Sequence, residues 1–424
     1  MDVLDVLIAK AYFQVVLLNS PRVDPRRVTV AVAAAGISSF ALLYAPQPVL
    51  PQLAAEFHLD PGGASLAVSV ATGALALAVL PIAVLSEVIG RRPVIVASVI
   101  ASVGLGLMLP LASSYPVLLV LRAVQGVAIA GFPGVAAAYL VEQLGRSGVA
   151  AAVGVMIAGN TVGGMAGRLV SGFTAGSLGW HGALATVACV ALLCALVTVL
   201  ALPSAAPAVP RDRPTAMAAG VRAAVGKPVL LAQYAVALLA MGSFVALYNA
   251  AGFRLTGKPL DLSPAIASLV FLAYAMGAVS SSMAGRLITR FGRVRSVVGA
   301  LLTTISGAAL TISGQLPLVV LGFVVLTGGF FAAHAIANGW AAAEAPERAR
   351  GQVSGLYTLA YYLGSSVGGT LGAVVYGRAG WTWLVGFAVL WLSLALAAVL
   401  ASQRRYGRNL PCKKRQESSV HRAR

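Results

Sequence analysis

Two ionisable side chains, Arg122 and His334, lie inside long apolar stretches of the sequence. A charge at the centre of a bilayer costs roughly 3 kcal/mol or more, so such residues mark ion or substrate paths by default. Histidine titrates near neutral pH, which makes His334 a candidate proton carrier. Arginine stays charged, so Arg122 is a candidate for binding an anionic group or repelling a proton from a neighbour. The alternatives are an arginine satisfied by backbone carbonyls and a packed imidazole that shares one hydrogen bond.

Uncharged polar and aromatic side chains in the same apolar stretches form a second group of candidates for proton coupling or substrate binding. Amides and hydroxyls can hydrogen-bond a substrate, and aromatic rings suit a planar or cationic one. The same side chains also serve as hydrogen bonds between helices or as interfacial anchors, and that alternative stays open. The candidates are Tyr44, Gln47, Asn160, Tyr248, Asn249 and Asn338.

Acidic residues are absent from the centre of every apolar stretch; Glu87, Glu142 and Glu344 fall at the ends of stretches. Proton coupling therefore lacks an obvious carboxylate, and a facilitator driven by the solute gradient is an alternative. The sequence contains neither a His-Glu-x-x-His motif nor a glycine-rich phosphate loop, so we expect no enzyme, no cofactor and no metal site.

The composition indicates that lipid covers most of the surface. Of 424 residues, 59% are hydrophobic and 10% are charged, whereas soluble domains carry about 25% charged residues. A spanning helix needs roughly 20 mostly apolar residues, and the sequence predicts an all-α membrane protein with twelve such helices. Spans 1 to 6 are 28–50, 64–86, 93–112, 116–141, 148–172 and 181–202, and spans 7 to 12 are 228–250, 264–288, 295–313, 317–342, 351–376 and 381–401.

The basic residues are distributed unequally between the two sets of loops. The formal net charge is +18, but the charges form short clusters between apolar stretches, which is typical of the positive-inside pattern and not of nucleic-acid binding. The sparse side holds Arg254, Lys258 and Arg378, with Arg168 expected near that end of span 5. We therefore predict a multi-pass protein of the bacterial inner membrane, monomeric, with both termini cytoplasmic.

The two halves of the sequence match at an offset near 202 residues. Gly90-Arg91 after span 2 recurs as Gly292-Arg293 after span 8, and Glu142 recurs as Glu344. Spans 5 and 11 share the glycine pairs Gly163-Gly164 and Gly368-Gly369. Because six is even, the halves have the same orientation, as in a parallel repeat. We expect an extension (1–27), a six-helix bundle (28–202), a cytoplasmic linker (203–227), a second bundle (228–401) and a basic tail (402–424).

These motifs resemble those of the major facilitator superfamily. The family's signature after the second span, Gly-x-x-x-Asp-Arg-x-Gly-Arg-Arg, stands here as Ala83 to Arg92 with its Gly-Arg-Arg end intact. The Arg-x-x-Gln-Gly pattern of proton-coupled members stands as Arg122 to Gly126, and the antiporter signature as Gly159 to Gly164 with Asn160 in place of proline. The resemblance implies two pseudo-symmetric six-helix bundles. It also implies gating roles for Glu87, Gly90, Arg91, Arg92, Gly163 and Gly164.

Shorter strings, among them Leu43 to Pro51 and Tyr361 to Ser366, resemble the YnfM-like bacterial inner-membrane transporters, a group associated with acriflavine-type drug export. The resemblance implies a secondary transporter that works by alternating access, with proton-coupled efflux of a drug or small metabolite. The alternatives are a proton-linked uptake symporter, a sugar exporter, or a membrane receptor or scaffold that transports nothing.

Overall fold

The computed structural model describes residues 24–203 and 214–408, and the regular structure within these two stretches is entirely helical. The predicted extension and the basic tail lie largely outside this range, and so do residues 204–213 of the linker. A helix, Pro214–Val225, occupies the described part of the linker. The α-helices are Pro25–Tyr44, Leu50–Glu56, Pro61–Ile89, Arg91–Met108, Tyr115–Ala130, Ala136–Ala201, Pro214–Val225, Pro228–Thr256, Pro264–Ser268, Tyr274–Phe291, Arg293–Leu310, Leu316–Glu344, Arg350–Ala379 and Trp381–Arg408.

Eight described helices are long and apolar enough to cross a membrane, and one of them, Ala151–Ala201, covers both predicted spans 5 and 6. The remaining predicted spans, 4, 9 and 11, lie on Tyr115–Ala130 with its continuation, Arg293–Leu310 and Arg350–Ala379. The all-helical membrane fold predicted from the composition is confirmed.

Span 1 is interrupted where prolines follow its first helix. That helix ends at Tyr44, and a short 3-10 turn, Gln47–Val49, leads into Leu50–Glu56. Proline has no backbone N–H, so Pro46 cannot donate to the Leu42 carbonyl four residues earlier. The break therefore leaves carbonyl oxygens inside the membrane region that need other donors.

Spans 5 and 6 form one hydrogen-bonded run that turns back on itself. As a straight helix, the 66 residues of Ala136–Ala201 would be about 100 Å long, which is more than three times the thickness of a bilayer core. Gly179 sits within the run at φ +62°, a conformation that favours glycine. Residues on both sides of it contact span 1: Gly163 packs on Ile37, and Thr198 Oγ1 bonds the Ala31 carbonyl at 3.3 Å.

Rows of glycines bring span 5 against span 1 and span 11 against span 7. A methyl carbon added to Gly163 would lie 2.5 Å from the Ile37 carbonyl oxygen, and one added to Gly167 would lie 2.6 Å from Ala41 Cα. The equivalent contacts of the second half are Gly364 on Leu238, Gly368 on Gly242 and Gly372 on Ala246. Small residues let membrane helices approach closely, so the same packing recurs in both halves.

The repeat is also visible where spans 2 and 8 end. Gly90 (φ +99°) and Gly292 (φ +79°) each end one helix and precede the next. The following arginines form equivalent ion pairs: Arg91 Nε lies 2.9 Å from Glu142 Oε1, and Arg293 Nη1 lies 3.5 Å from Glu344 Oε1. The sequence matches between the halves thus correspond to matching backbone turns and charge pairs.

Candidate functional site

Arg168 is a buried cation at the interface between the two halves. Its side chain is 1% exposed, and its guanidinium carbon lies 4.0 Å from the ring centre of Tyr44. Two aromatic rings of the second half complete the surroundings, Tyr274 at 4.5 Å and Phe271 at 5.4 Å. Aromatic faces attract cations, so the charge is held by rings from both halves.

The amide of Gln47 connects Arg168 to the second half. Arg168 Nε donates to Gln47 Oε1, and Gln47 Nε2 donates to Asn249 Oδ1 at 2.7 Å. Arg168 Nη1 donates to the Gly164 carbonyl of its own helix at 2.7 Å. Among the described residues, no carboxylate forms an ion pair with Arg168, so a neutral amide bears the contact that an acid would ordinarily supply.

Two polar atoms without partners converge close to this chain of hydrogen bonds. Asn249 Nδ2 and Ser69 Oγ are buried and, within the described residues, unpartnered. Both face Gly369, where an added methyl carbon would lie 2.8 Å from Asn249 Nδ2 and 3.3 Å from Ser69 Oγ. A buried polar group without a hydrogen bond costs about 1–3 kcal/mol. The interface therefore holds hydrogen-bonding capacity that the protein's own groups leave unused.

The expected position of Arg168 near the sparse end of span 5 is wrong. The apolar run stops at Gly172 in the sequence, but the helix continues to Gly179, where the backbone turns. Arg168 lies 11 residues before that glycine, about 16 Å along a helix. It is thus a third ionisable residue inside the bundle. Two features of the sequence distinguish Arg168. It lies within the glycine row of span 5, where a charged side chain is unexpected, and the equivalent position of span 11 holds an apolar residue, Ala373.

Arg122 is fully buried and is held by carbonyls of spans 1 and 2. Its Nε donates to the Ala67 carbonyl at 2.6 Å. Nη1 and Nη2 donate to the Leu42 carbonyl at 3.1 Å and the Leu43 carbonyl at 2.6 Å. Nη1 also donates to Gln125 Oε1. Arg122 thus satisfies the oxygens freed by the break at Pro46. These contacts favour the alternative of a structural arginine over a transport role.

His334 packs within the second half against aromatic residues of span 11. Its Nδ1 lies 3.0 Å from the Tyr357 hydroxyl, which also lies 3.2 Å from the His334 carbonyl oxygen. The hydroxyl can donate to a neutral Nδ1, or accept from a protonated one while donating to the carbonyl. Both protonation states therefore keep a hydrogen bond. The arrangement is compatible with a proton carrier and with a packed imidazole.

The other amide and tyrosine candidates lie in different places. Tyr248 is buried in the second half, with its hydroxyl 2.7 Å from Thr327 Oγ1. Asn160 packs on Gly36 between spans 5 and 1. Asn338 is exposed and lines a pocket with Tyr357. Of the predicted set, Tyr44, Gln47 and Asn249 meet at the interface between the halves, and Tyr248 packs on Phe271 and Tyr274, the two rings of the second half that face Arg168.

The predicted gating residues lie in two places, within span 5 and around the end of span 2. Gly163 provides the close contact with span 1, and a methyl carbon on Gly164 would lie 3.1 Å from Arg168 Nη1. Arg91 forms the ion pair with Glu142, and Arg92 Nε donates to the Leu202 carbonyl at 3.0 Å, where span 6 ends. Glu87 is exposed, and within the described residues it forms no ion pair. Its gating role stays a prediction.

Two side-chain hydrogen bonds join the halves within the described range, Gln47 to Asn249 and Ser366 Oγ to the Ser69 carbonyl at 2.7 Å. Glycine contacts lie nearby, Gly172 on Ser268 and Gly377 on Pro61. We call this side of the bundle, away from Pro25 and Arg408, the far end. Since no ion pair crosses between the described parts of the halves, they are held by packing, two hydrogen bonds and the rings around Arg168.

Comparison with known proteins places this architecture in a family. The model of the Major Facilitator Superfamily matches residues 32–258 and 255–421. The chain is 38% identical over 374 residues to the inner membrane transport protein YnfM of Escherichia coli K12, covering 87% of this chain and 89% of that protein. It is 36% identical over 372 residues to the MFS-type transporter YybF of Bacillus subtilis strain 168, covering 88% and 92%.

Solved structures agree with the fold. A bacterial homologue of the human lysosomal transporter Spinster, solved inward-facing and unoccupied, superposes with a TM-score of 0.75 at 18% identity, covering 90% of this chain and 97% of that one. The nucleoside transporter NupG gives a TM-score of 0.69 at 14% identity, covering 89% and 99%. Two repeated six-span halves, the family match and these relatives lead to one conclusion: the chain is a membrane transporter of the Major Facilitator Superfamily.

Proposed function

We propose that this transporter is a secondary active exporter, which moves a drug or small metabolite out of the bacterial cell by alternating access in exchange for protons. Three points support the proposal: the parallel repeat, the relatives' role as transporters, and a histidine whose hydrogen bonding suits both protonation states. The sequence contains no phosphate-binding loop for ATP, which favours transport driven by an ion gradient or by the gradient of the substrate itself.

The interface between the halves carries the alternating-access part of the proposal. Within the described residues, the halves are joined by two side-chain hydrogen bonds, a set of aromatic rings and apolar packing that includes Tyr362, and no ion pair crosses between them. Each hydrogen bond contributes about 0.5–1.5 kcal/mol. An interface of this kind can open at the far end without unfolding either half, because each half retains its own core and its own glycine contacts.

Transport in proteoliposomes tests the proposal. Purified protein is reconstituted, a pH difference is imposed, and uptake of dyes, sugars and amino acids is followed with and without a protonophore. We expect a substrate to accumulate against its gradient in the direction opposite to proton flow. Accumulation in the same direction as protons would replace the exporter with an uptake symporter, and accumulation of sugars alone would indicate a sugar exporter. Transport that only equilibrates the substrate across the membrane would show that the protein is a facilitator.

A further inference from the structure

The charge of Arg168 has weak compensation in its surroundings. Arginine remains protonated at physiological pH, and a buried charge without an opposite partner is destabilising. Around Arg168 the described groups are one amide oxygen, one helix carbonyl and three aromatic faces. Arg122, by contrast, has four bonds to oxygen and no aromatic face within the described contacts. The two buried arginines therefore differ in environment: oxygen atoms satisfy Arg122, whereas the charge of Arg168 is only partly compensated.

The guanidinium also keeps binding capacity. Its hydrogen bonds within the described residues use Nε and Nη1, so Nη2 has no protein acceptor there. A carboxylate prefers to bind two N–H groups of a guanidinium side by side. An oxygen in place of Gln47 Oε1 on Nε, with its partner on Nη2, would supply the missing negative charge. The amide of Gln47 and the unpartnered Asn249 Nδ2 are then donors for further polar groups.

The aromatic rings around Arg168 provide the second element of substrate recognition. Tyr44 belongs to span 1, whereas Phe271 and Tyr274 belong to span 8. Because they come from opposite halves, separation of the halves at the far end would open a slot between their faces, with Arg168 at its base. A planar ring can stack in such a slot. A cationic dye would have to lie next to a buried positive charge, which is unfavourable in a low dielectric.

We propose that the substrates of this transporter are organic anions with a carboxylate attached to an aromatic or other planar ring, and that Arg168 binds the carboxylate. This assignment rests on the proposed transport function for its physiological meaning, but the binding itself can be measured without transport. It names an anionic substrate class where the resemblance to acriflavine-type exporters suggests a cationic one.

Three probes of nearly equal shape and different charge test the proposal: benzoate, benzamide and benzylammonium. Their affinities are measured by calorimetry on purified protein in detergent, for the wild type, Arg168→Gln, Arg168→Lys and the control Arg378→Gln. Arg378 is an exposed arginine at the far end, outside the site. We expect wild type and Arg378→Gln to bind benzoate about 10- to 100-fold more tightly than the other two probes, as for a charge-assisted pair. Arg168→Gln should lose this preference and Arg168→Lys should keep part of it.

Equal affinity of the wild type for all three probes would overturn the proposal, as would an unchanged benzoate preference in Arg168→Gln. Folding is checked by size-exclusion profile and by benzamide affinity, which should be the same in all variants. If Arg168→Gln does not fold, the wild-type preference among the three probes decides alone. Transport of the probes is measured separately. If benzoate binds selectively but is not exported, this inference is retained and the proposed function is removed. If neutral or cationic compounds are exported and benzoate is not, the proposed function is retained and this inference is removed.

Discussion

The side-chain amide of Gln47 lies between Arg168 and Asn249, accepting from the first through Oε1 and donating to the second through Nε2 at 2.7 Å. Gln47 begins the short 3-10 turn that follows the break in span 1, and its side chain reaches Asn249 of the second half. One side chain thus links the buried cation of span 5 to span 7. The link joins the halves and also provides the oxygen that a substrate carboxylate would replace.

Gln47→Ala should loosen the far end of the bundle. The substitution removes the one hydrogen bond of Gln47 that joins the halves, about 0.5–1.5 kcal/mol, which shifts a balanced equilibrium towards the open state by roughly 2- to 13-fold. The measurement is the rate at which a thiol reagent labels Ser268→Cys, beside Gly172, in protein whose native cysteines are replaced by serine. The control Gln52→Ala removes a bond within one half, Nε2 to the Ala175 carbonyl at 2.9 Å. Equal labelling rates in the two variants would remove the gating role of Gln47.

Methyl groups on the glycine rows should destabilise the protein in both halves. Gly163→Ala and Gly368→Ala place a carbon against the backbone of span 1 or span 7, so the helices must separate. Overpacking typically costs about 1–3 kcal/mol. The matched controls are Gly154→Ala and Gly386→Ala, since nothing lies within 4 Å of a methyl carbon at either position. Thermal unfolding in detergent should show a lower Tm for the first pair only, and a lowered Tm for the controls as well would contradict the packing argument.

The sequence predicts the architecture well because spans and glycine rows depend on local composition and spacing. The position of Arg168 was not predictable from hydropathy, since the apolar run and the helix end at different residues, Gly172 and Gly179. The partners of Arg122 depend on which carbonyls are freed by Pro46, and their approach requires the folded arrangement of three spans. The meeting of Gln47 with Asn249 depends on how the halves dock, which no local pattern specifies.

The orientation inferred from the basic residues is a separate prediction. Single cysteines in place of Ser114 and Ser177, both at the far end, should react with an impermeant thiol reagent added to intact cells. A cysteine at Ser147, on the side rich in arginine, should react only after permeabilisation. Arg168 no longer counts among the sparse loops, which strengthens the charge asymmetry behind this prediction. Labelling of the cysteine at position 147 in intact cells would reverse the assigned topology.

His334 is the proposed proton carrier, and His334→Ala should separate coupling from substrate movement. The imidazole lies 3.0 Å from the Tyr357 hydroxyl and 4.7 Å from the ring centre of Tyr361, and within the described residues no carboxylate pairs with it. Since alanine cannot titrate, the variant should lose accumulation driven by a pH difference and keep exchange of labelled for unlabelled substrate. His181→Ala is the control, because His181 is exposed and stacks on Trp180 outside the interface between the halves; it should retain both activities. If the His334→Ala protein still concentrates substrate under a pH difference, the packed-imidazole alternative holds, and the proton must be carried by another group.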